Sequence, residues 1–119
     1  VPLDVTDGPG LDRLGAALHE RFGRLDILVG NAGVLGTLSP VGHFEPKVFE
    51  EVMAVNVTAN WRLIRSMDPL LRRSDAGRAI FVTSGASRKI LPYWGAYAAS
   101  KAALDMLVGV WAAEVAHTA

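Results

Sequence analysis

The sequence predicts an α/β fold built on a parallel sheet. Three observations carry this. Two short apolar runs, residues 25–29 and 79–83, have the length and composition of buried strands. Longer stretches between and after them repeat apolar residues at helical spacing. The resulting order, β-α-β-α-β-α, puts a helix between successive strands, as parallel pairing requires.

Residues 1–5 are the first strand candidate. Thr6-Asp7-Gly8-Pro9-Gly10 then carries helix-start chemistry, because Thr6 or Asp7 can cap and Pro9 suits a first turn. This turn follows a strand and opens a helix, as a phosphate-binding turn does. The dinucleotide fingerprint Gly-x-Gly-x-x-Gly would need glycine at position 13, where Arg13 stands, so the turn is read as helix-starting only. Leu11, Leu14, Leu18 and Phe22 mark the helix, and Gly23 is placed to end it. Residues 25–29 form a buried strand, left through Gly30-Asn31-Ala32-Gly33. Gly36, Pro40, Gly42 and Pro46 make residues 34–46 a loop.

A long helix is expected over 47–73, with Phe49, Val52, Met53, Asn56, Leu63, Ile64, Met67 and Leu71 on its inner side. Pro69 should kink it or start a new turn. Asp75-Ala76-Gly77 is a stop, 79–83 the next strand, 85–92 a loop, and 93–117 a final helix. That helix mixes Ala98, Ala99, Ala102, Ala103, Gly109, Ala112 and Ala113 with Leu104, Met106, Leu107, Val110 and Trp111. A helix apolar nearly all round is buried on more than one side.

At 119 residues the chain is expected to be one domain, 1–119. Twelve acids balance twelve bases, which argues against electrostatic binding of nucleic acid or of an anionic membrane. Without cysteine there is no disulfide framework and no thiol chemistry. His19, His43 and His117 lack metal-ligand spacing, so no metal is expected. The chain has neither an apolar run of about 20 residues nor a basic-then-apolar leader, and a cytoplasmic location is the default expectation. It begins at Val1, inside a candidate strand, and is read as part of a longer protein.

Four side chains are candidates for a chemical role. Tyr97 and Lys101 are four residues apart, about one helical turn, and project from one face. A cation beside a phenol favours the phenolate and makes a usable proton shuttle. Ser84 follows the apolar run 79–82 and stands at a strand's carboxyl end, the edge where open α/β sheets bind ligands. Asn56 is mid-helix among Val52, Met53, Val55 and Val57. It could be buried for a purpose, face solvent, or mark a local bend. Asn31-Ala32-Gly33 reads as a tight turn whose small residues let the backbone approach a ligand, or as a plain strand-to-loop turn. Asp4 could be a strand-end cap. Tyr93 is a second phenol without a lysine four residues on.

Taken together, Asn31-Ala32-Gly33, Asn56, Ser84, Tyr97 and Lys101 resemble, in identity, order and spacing, the motifs of the short-chain dehydrogenase/reductase family. The resemblance covers essentially the whole chain but only the middle of a family domain. It implies a partial Rossmann-type doubly wound sheet, lacking the N-terminal phosphate-binding half and the C-terminal strands. It implies an oxidoreductase that interconverts an alcohol and a carbonyl with NAD or NADP. Tyr97 would be the general acid/base. Lys101 would tune the phenol and hold the nicotinamide ribose, Ser84 would orient the substrate oxygen, and Asn56 would join a water-linked proton relay. Asp4 and Val5 would flank the adenine, and Asn31, Ala32 and Gly33 would approach the cofactor. Gly30 departs from the asparagine often found there, which would loosen the turn. Family members commonly dimerise through the two long helices, so a homodimer or homotetramer through 47–73 and 93–117 is implied. The competing reading is a non-catalytic dinucleotide-binding or scaffold protein on the same fold.

Overall fold

The computed structural model describes residues 1–116. Helix α1 spans Gly8–Phe22. The Asp7 carboxylate accepts the Gly10 N–H at 3.0 Å, so it is the cap. Gly23, at φ 75°, closes the helix with its N–H on the His19 carbonyl. Strand β1, Ile27–Gly30, and strand β2, Arg78–Phe81, pair in parallel from Ile27↔Arg78 to Gly30↔Phe81. The Val82 N–H adds one further bond to the Gly30 carbonyl. Both strands are shorter than the apolar runs that signal them. Leu25 is drawn off to the end of the long helix, its N–H on the Leu70 carbonyl, and Thr83 lies beyond the ladder.

Residues 1–5, a strand candidate in the sequence, find no ladder partner among the described residues and so are not a strand here. A strand is defined by its ladder, and the sheet of the described residues contains only β1 and β2. The segment instead turns into α1 through Asp4, which accepts from the Thr6 N–H and hydroxyl. Nor is β1 buried on both faces. Leu28 is 8% exposed, while Ile27 and Val29 are 63% and 54% exposed. The helices explain this. Leu14 and Leu18 of α1, Leu63, Met67, Leu70 and Leu71 of the long helix and Trp111 of the last all pack with Leu28, Ala79 and Phe81. The helices cover one side of the sheet, and Ile27, Val29, Ile80 and Val82 look the other way.

The expected helix over 47–73 runs as three consecutive pieces: α2 (Pro46–Met53), a π-helical turn (Ala54–Thr58) and α3 (Ala59–Leu71). Pro69 sits in the last turn of α3, close enough to the end that the helix simply stops two residues later. Helix α4 covers Gly95–Glu114, two residues later in its start than expected. Tyr93, at φ 74°, is outside helical geometry and delays the start. The expected end at His117 lies outside the described residues. Burial on α4 is one-sided. Ala96, Ser100, Lys101 and Leu104 are buried, whereas Met106 and Val110 are exposed. The loop 34–46 contains a short 3-10 turn, Val41–His43, and the loop 85–92 another, Gly85–Arg88. Among the described residues no helix is long and apolar enough to cross a membrane.

Candidate active site

The π-helical turn places Asn56 where a regular helix would not. Its Ala59 N–H reaches five residues back to the Ala54 carbonyl, widening the coil by one residue. Asn56 is fully buried there. Its Oδ1 accepts the Val34 N–H at 2.8 Å, and its Nδ2 donates to the Val34 carbonyl at 2.8 Å. One carboxamide thus pairs with the backbone just after Gly33, as a strand neighbour would. The same Nδ2 donates to Ser100 Oγ at 3.0 Å. Asn56 is therefore not solvent-facing: it is buried and bonded, at a local irregularity of the helix.

Helix α4 supplies the other half. Ser100, fully buried, donates its hydroxyl to the Tyr97 carbonyl at 2.7 Å. Asn56 is therefore tied to the first turn of α4, next to the tyrosine. Lys101 is 3% exposed, and its Nζ donates to the Val82 carbonyl at 3.0 Å. That ammonium lies 5.8 Å from the Tyr97 ring centroid. It also lies close to Gly33, where an added Cβ would stand 3.3 Å from Nζ and 3.5 Å from Asn56 Oδ1. Asn56, Tyr97, Lys101 and Gly33 are thus one connected cluster. A burial of this depth for a lysine is uncommon unless the charge is used.

Ser84 sits just past the carboxyl end of β2 and caps the 3-10 turn Gly85–Arg88, accepting the Ala86 N–H at 3.1 Å. A hydroxyl that accepts still has its own proton to donate. Asp105, one turn beyond Lys101, stands behind this corner. Partial burial pushes its carboxyl up. The Ser87 and Thr83 hydroxyls within hydrogen-bonding reach, with the charges of Arg88 and Lys101, outweigh that and hold it below its ordinary value.

Val5, Asn31 and Ala32 line a shallow cleft together with Val29, Gly30 and Asn60. Asp4 is not part of its lining. The Thr6 backbone N–H and then its hydroxyl engage Asp4 locally and lower its carboxyl, so Asp4 makes a local turn where a strand-end cap is expected. Gly30 is the last paired residue of β1, and the space of a Cβ there is filled by the Phe81 ring, 2.4 Å away. Tyr93 is exposed, and its carbonyl accepts the Ser39 N–H at 3.0 Å. The Trp94 ring meets Tyr97 edge-on at 6.0 Å.

Sequence reasoning missed Ser100, Asn60 and Asp105. Each stands three or four residues from a residue it did name, the helical spacing that could have found it. Among the described residues no group of His, Cys, Asp or Glu is arranged to hold a metal.

The model of the short chain dehydrogenase family matches residues 1–119. An uncharacterized oxidoreductase of Escherichia coli K12, YciK, is 40% identical over 102 residues, which is 86% of this chain and 40% of the relative. An uncharacterized NAD-dependent oxidoreductase of Mycobacterium tuberculosis is 40% identical over 114 residues, 95% of this chain and 41% of the relative. The chain therefore spans about two fifths of these relatives' length. The crystal structure of a short chain dehydrogenase from Escherichia coli CFT073, complexed with NADPH, superposes with a TM-score of 0.89 at 37% identity. The match covers 95% of this chain and 48% of that one.

Proposed function

This chain belongs to the short-chain dehydrogenase family, and from that premise we propose that it is the central part of an NAD- or NADP-dependent oxidoreductase interconverting an alcohol and a carbonyl. The observation that carries the reading is the buried Lys101 ammonium beside the Tyr97 ring, fastened through Ser100 to Asn56. A scaffold needs no such buried cation. The M. tuberculosis relative named NAD-dependent and the E. coli structure holding NADPH support either dinucleotide.

The residues present fit such a group. Gly33 has no side chain above Lys101, and a Cβ there would crowd both Nζ and Asn56 Oδ1. The cleft of Val5, Val29, Gly30, Asn31, Ala32 and Asn60 is lined by small and apolar groups with two asparagines among them, suited to a flat ring with polar edges. When bound, the dinucleotide supplies hydride-transfer chemistry. The chain's own residues do the rest. Tyr97 moves a proton to or from the substrate oxygen. Lys101 keeps positive charge beside the phenol and reaches toward the Gly33 side, where a ribose would lie. Ser84 donates to the substrate oxygen and orients it. Asn56 holds the backbone at Val34 and, through Ser100, the start of α4. Trp94, whose ring meets Tyr97, and Val41, which lies against Gly95 two residues before that tyrosine, suit a substrate with an apolar body.

In a whole-length enzyme carrying this sequence, Tyr97→Phe should cut turnover of a ketone panel by about 100- to 10,000-fold. Cofactor binding, followed by nicotinamide fluorescence, should stay nearly intact. Undiminished turnover would remove Tyr97 from the chemistry.

A further inference from the structure

Asn60 lies in the first turn of α3, four residues after Asn56, and is 4% exposed. Its Nδ2 donates to the Asn56 carbonyl at 2.8 Å. That carbonyl belongs to the π-helical turn, where the backbone ladder has lost its regular four-residue spacing. The other end of the carboxamide faces β1, and a Cβ on Gly30 would stand 2.9 Å from Asn60 Oδ1. Asn60 is therefore wedged between the backbone of Asn56 and the strand end that leads into Asn31-Ala32-Gly33. Filling this volume would not call for asparagine. It is a poor helix former, and burying its amide is costly unless it bonds.

We propose that Asn60 is a positioning residue: its carboxamide pins the π-turn carbonyl of Asn56 against the end of β1 and so fixes the Asn56 side chain on Val34 and Ser100. It acts through Asn56 and touches none of the reacting groups. The kinetic part of this inference rests on the oxidoreductase reading. The structural part does not.

Threonine and valine separate pinning from filling. They have nearly the same shape, but only the threonine hydroxyl can bond the carbonyl four residues back. Asn60→Thr and Asn60→Val would be compared in a whole-length enzyme carrying this sequence, by kcat, by pH–rate profile and by hydrogen exchange at the Val34 amide, which Asn56 holds. The valine variant should exchange Val34 faster, lose about 100-fold in kcat as for a misplaced group and shift its pH profile. The threonine variant should stay near the parent in all three. Should valine crowd Gly30 and unfold the protein, Asn60→Ser against Asn60→Ala makes the same comparison with smaller side chains. Equal Val34 exchange in the hydroxyl and apolar variants would overturn the proposal. A parent enzyme without turnover on either dinucleotide would overturn the oxidoreductase reading instead, and Val34 exchange would still decide the role of Asn60.

Discussion

At Lys101 the ammonium has three protons, and one of them goes to the Val82 carbonyl. The side chain is thus a tie between α4 and the end of β2 as well as a charge beside Tyr97. Lys101→Ala should weaken cofactor binding, slow turnover and lower the melting temperature together, since it also strips a bond from a backbone carbonyl. Lys101→Arg should not restore the rate, because a planar fork cannot replace a compact ammonium next to Gly33. Normal rate and cofactor affinity in the alanine variant would reduce Lys101 to a structural tie. Asp105 offers a test by pH. Its folded-state carboxyl is held below the ordinary value, so its contribution to stability is present above that value and is lost as pH falls through the lowered one. Asp105→Asn should therefore be less stable than the parent at neutral pH, and the gap in melting temperature should narrow on acidification below about pH 4. A gap independent of pH would show that the charge of Asp105 is not what matters. One-turn spacing put Tyr97 and Lys101 on one helix face, where Nζ lies 5.8 Å from the ring centroid, and the run of apolar neighbours hinted that Asn56 is buried. The partners of Asn56 were not legible, because a helical pattern does not tell that the coil widens at Ala54–Thr58 and turns Asn56 toward Val34.

Among the elements, the helices were read more accurately than the strands. Helix α1 begins at the capping Asp7 and ends at Gly23 because both signals are local chemistry, complete within the sequence around them. Strands depend on neighbours far along the chain. Residues 1–5 look like a strand but find no ladder, and Leu25 is claimed by the Leu70 carbonyl instead of by β2. The start of α4 was misjudged because apolar composition continues through Tyr93, while the left-handed backbone at Tyr93 is visible only in three dimensions. On the outer side of the helical layer, Trp61 of α3 and Met106 and Val110 of α4 are exposed at 44%, 70% and 48%. Their exposure leaves them free for the association of copies through the two long helices that the family resemblance implies. Met106→Lys with Val110→Lys should shift the whole-length enzyme toward monomer in sedimentation velocity, with cofactor binding retained. An unchanged sedimentation coefficient would place the interface elsewhere.

In the molecule as a whole, the helices lie on one side of a two-stranded sheet, and the candidate catalytic groups gather at the carboxyl ends of its strands. The parallel pairing of β1 with β2 was legible from the alternation of strands and helices. The bare second face was not, because an apolar run looks the same whether one side is covered or two. A polypeptide of residues 1–119 by itself should show no turnover with either dinucleotide and should bind an apolar-surface dye strongly. Steady turnover from it would refute this. Ile27, Val29, Ile80 and Val82 form the bare patch, all β-branched and side by side on adjacent strands. The same patch has a meaning during synthesis. For as long as that face is uncovered, the chain presents a sticky, strand-shaped surface to its surroundings. Association with other apolar surfaces would then compete with folding on the sheet face turned away from the candidate catalytic groups.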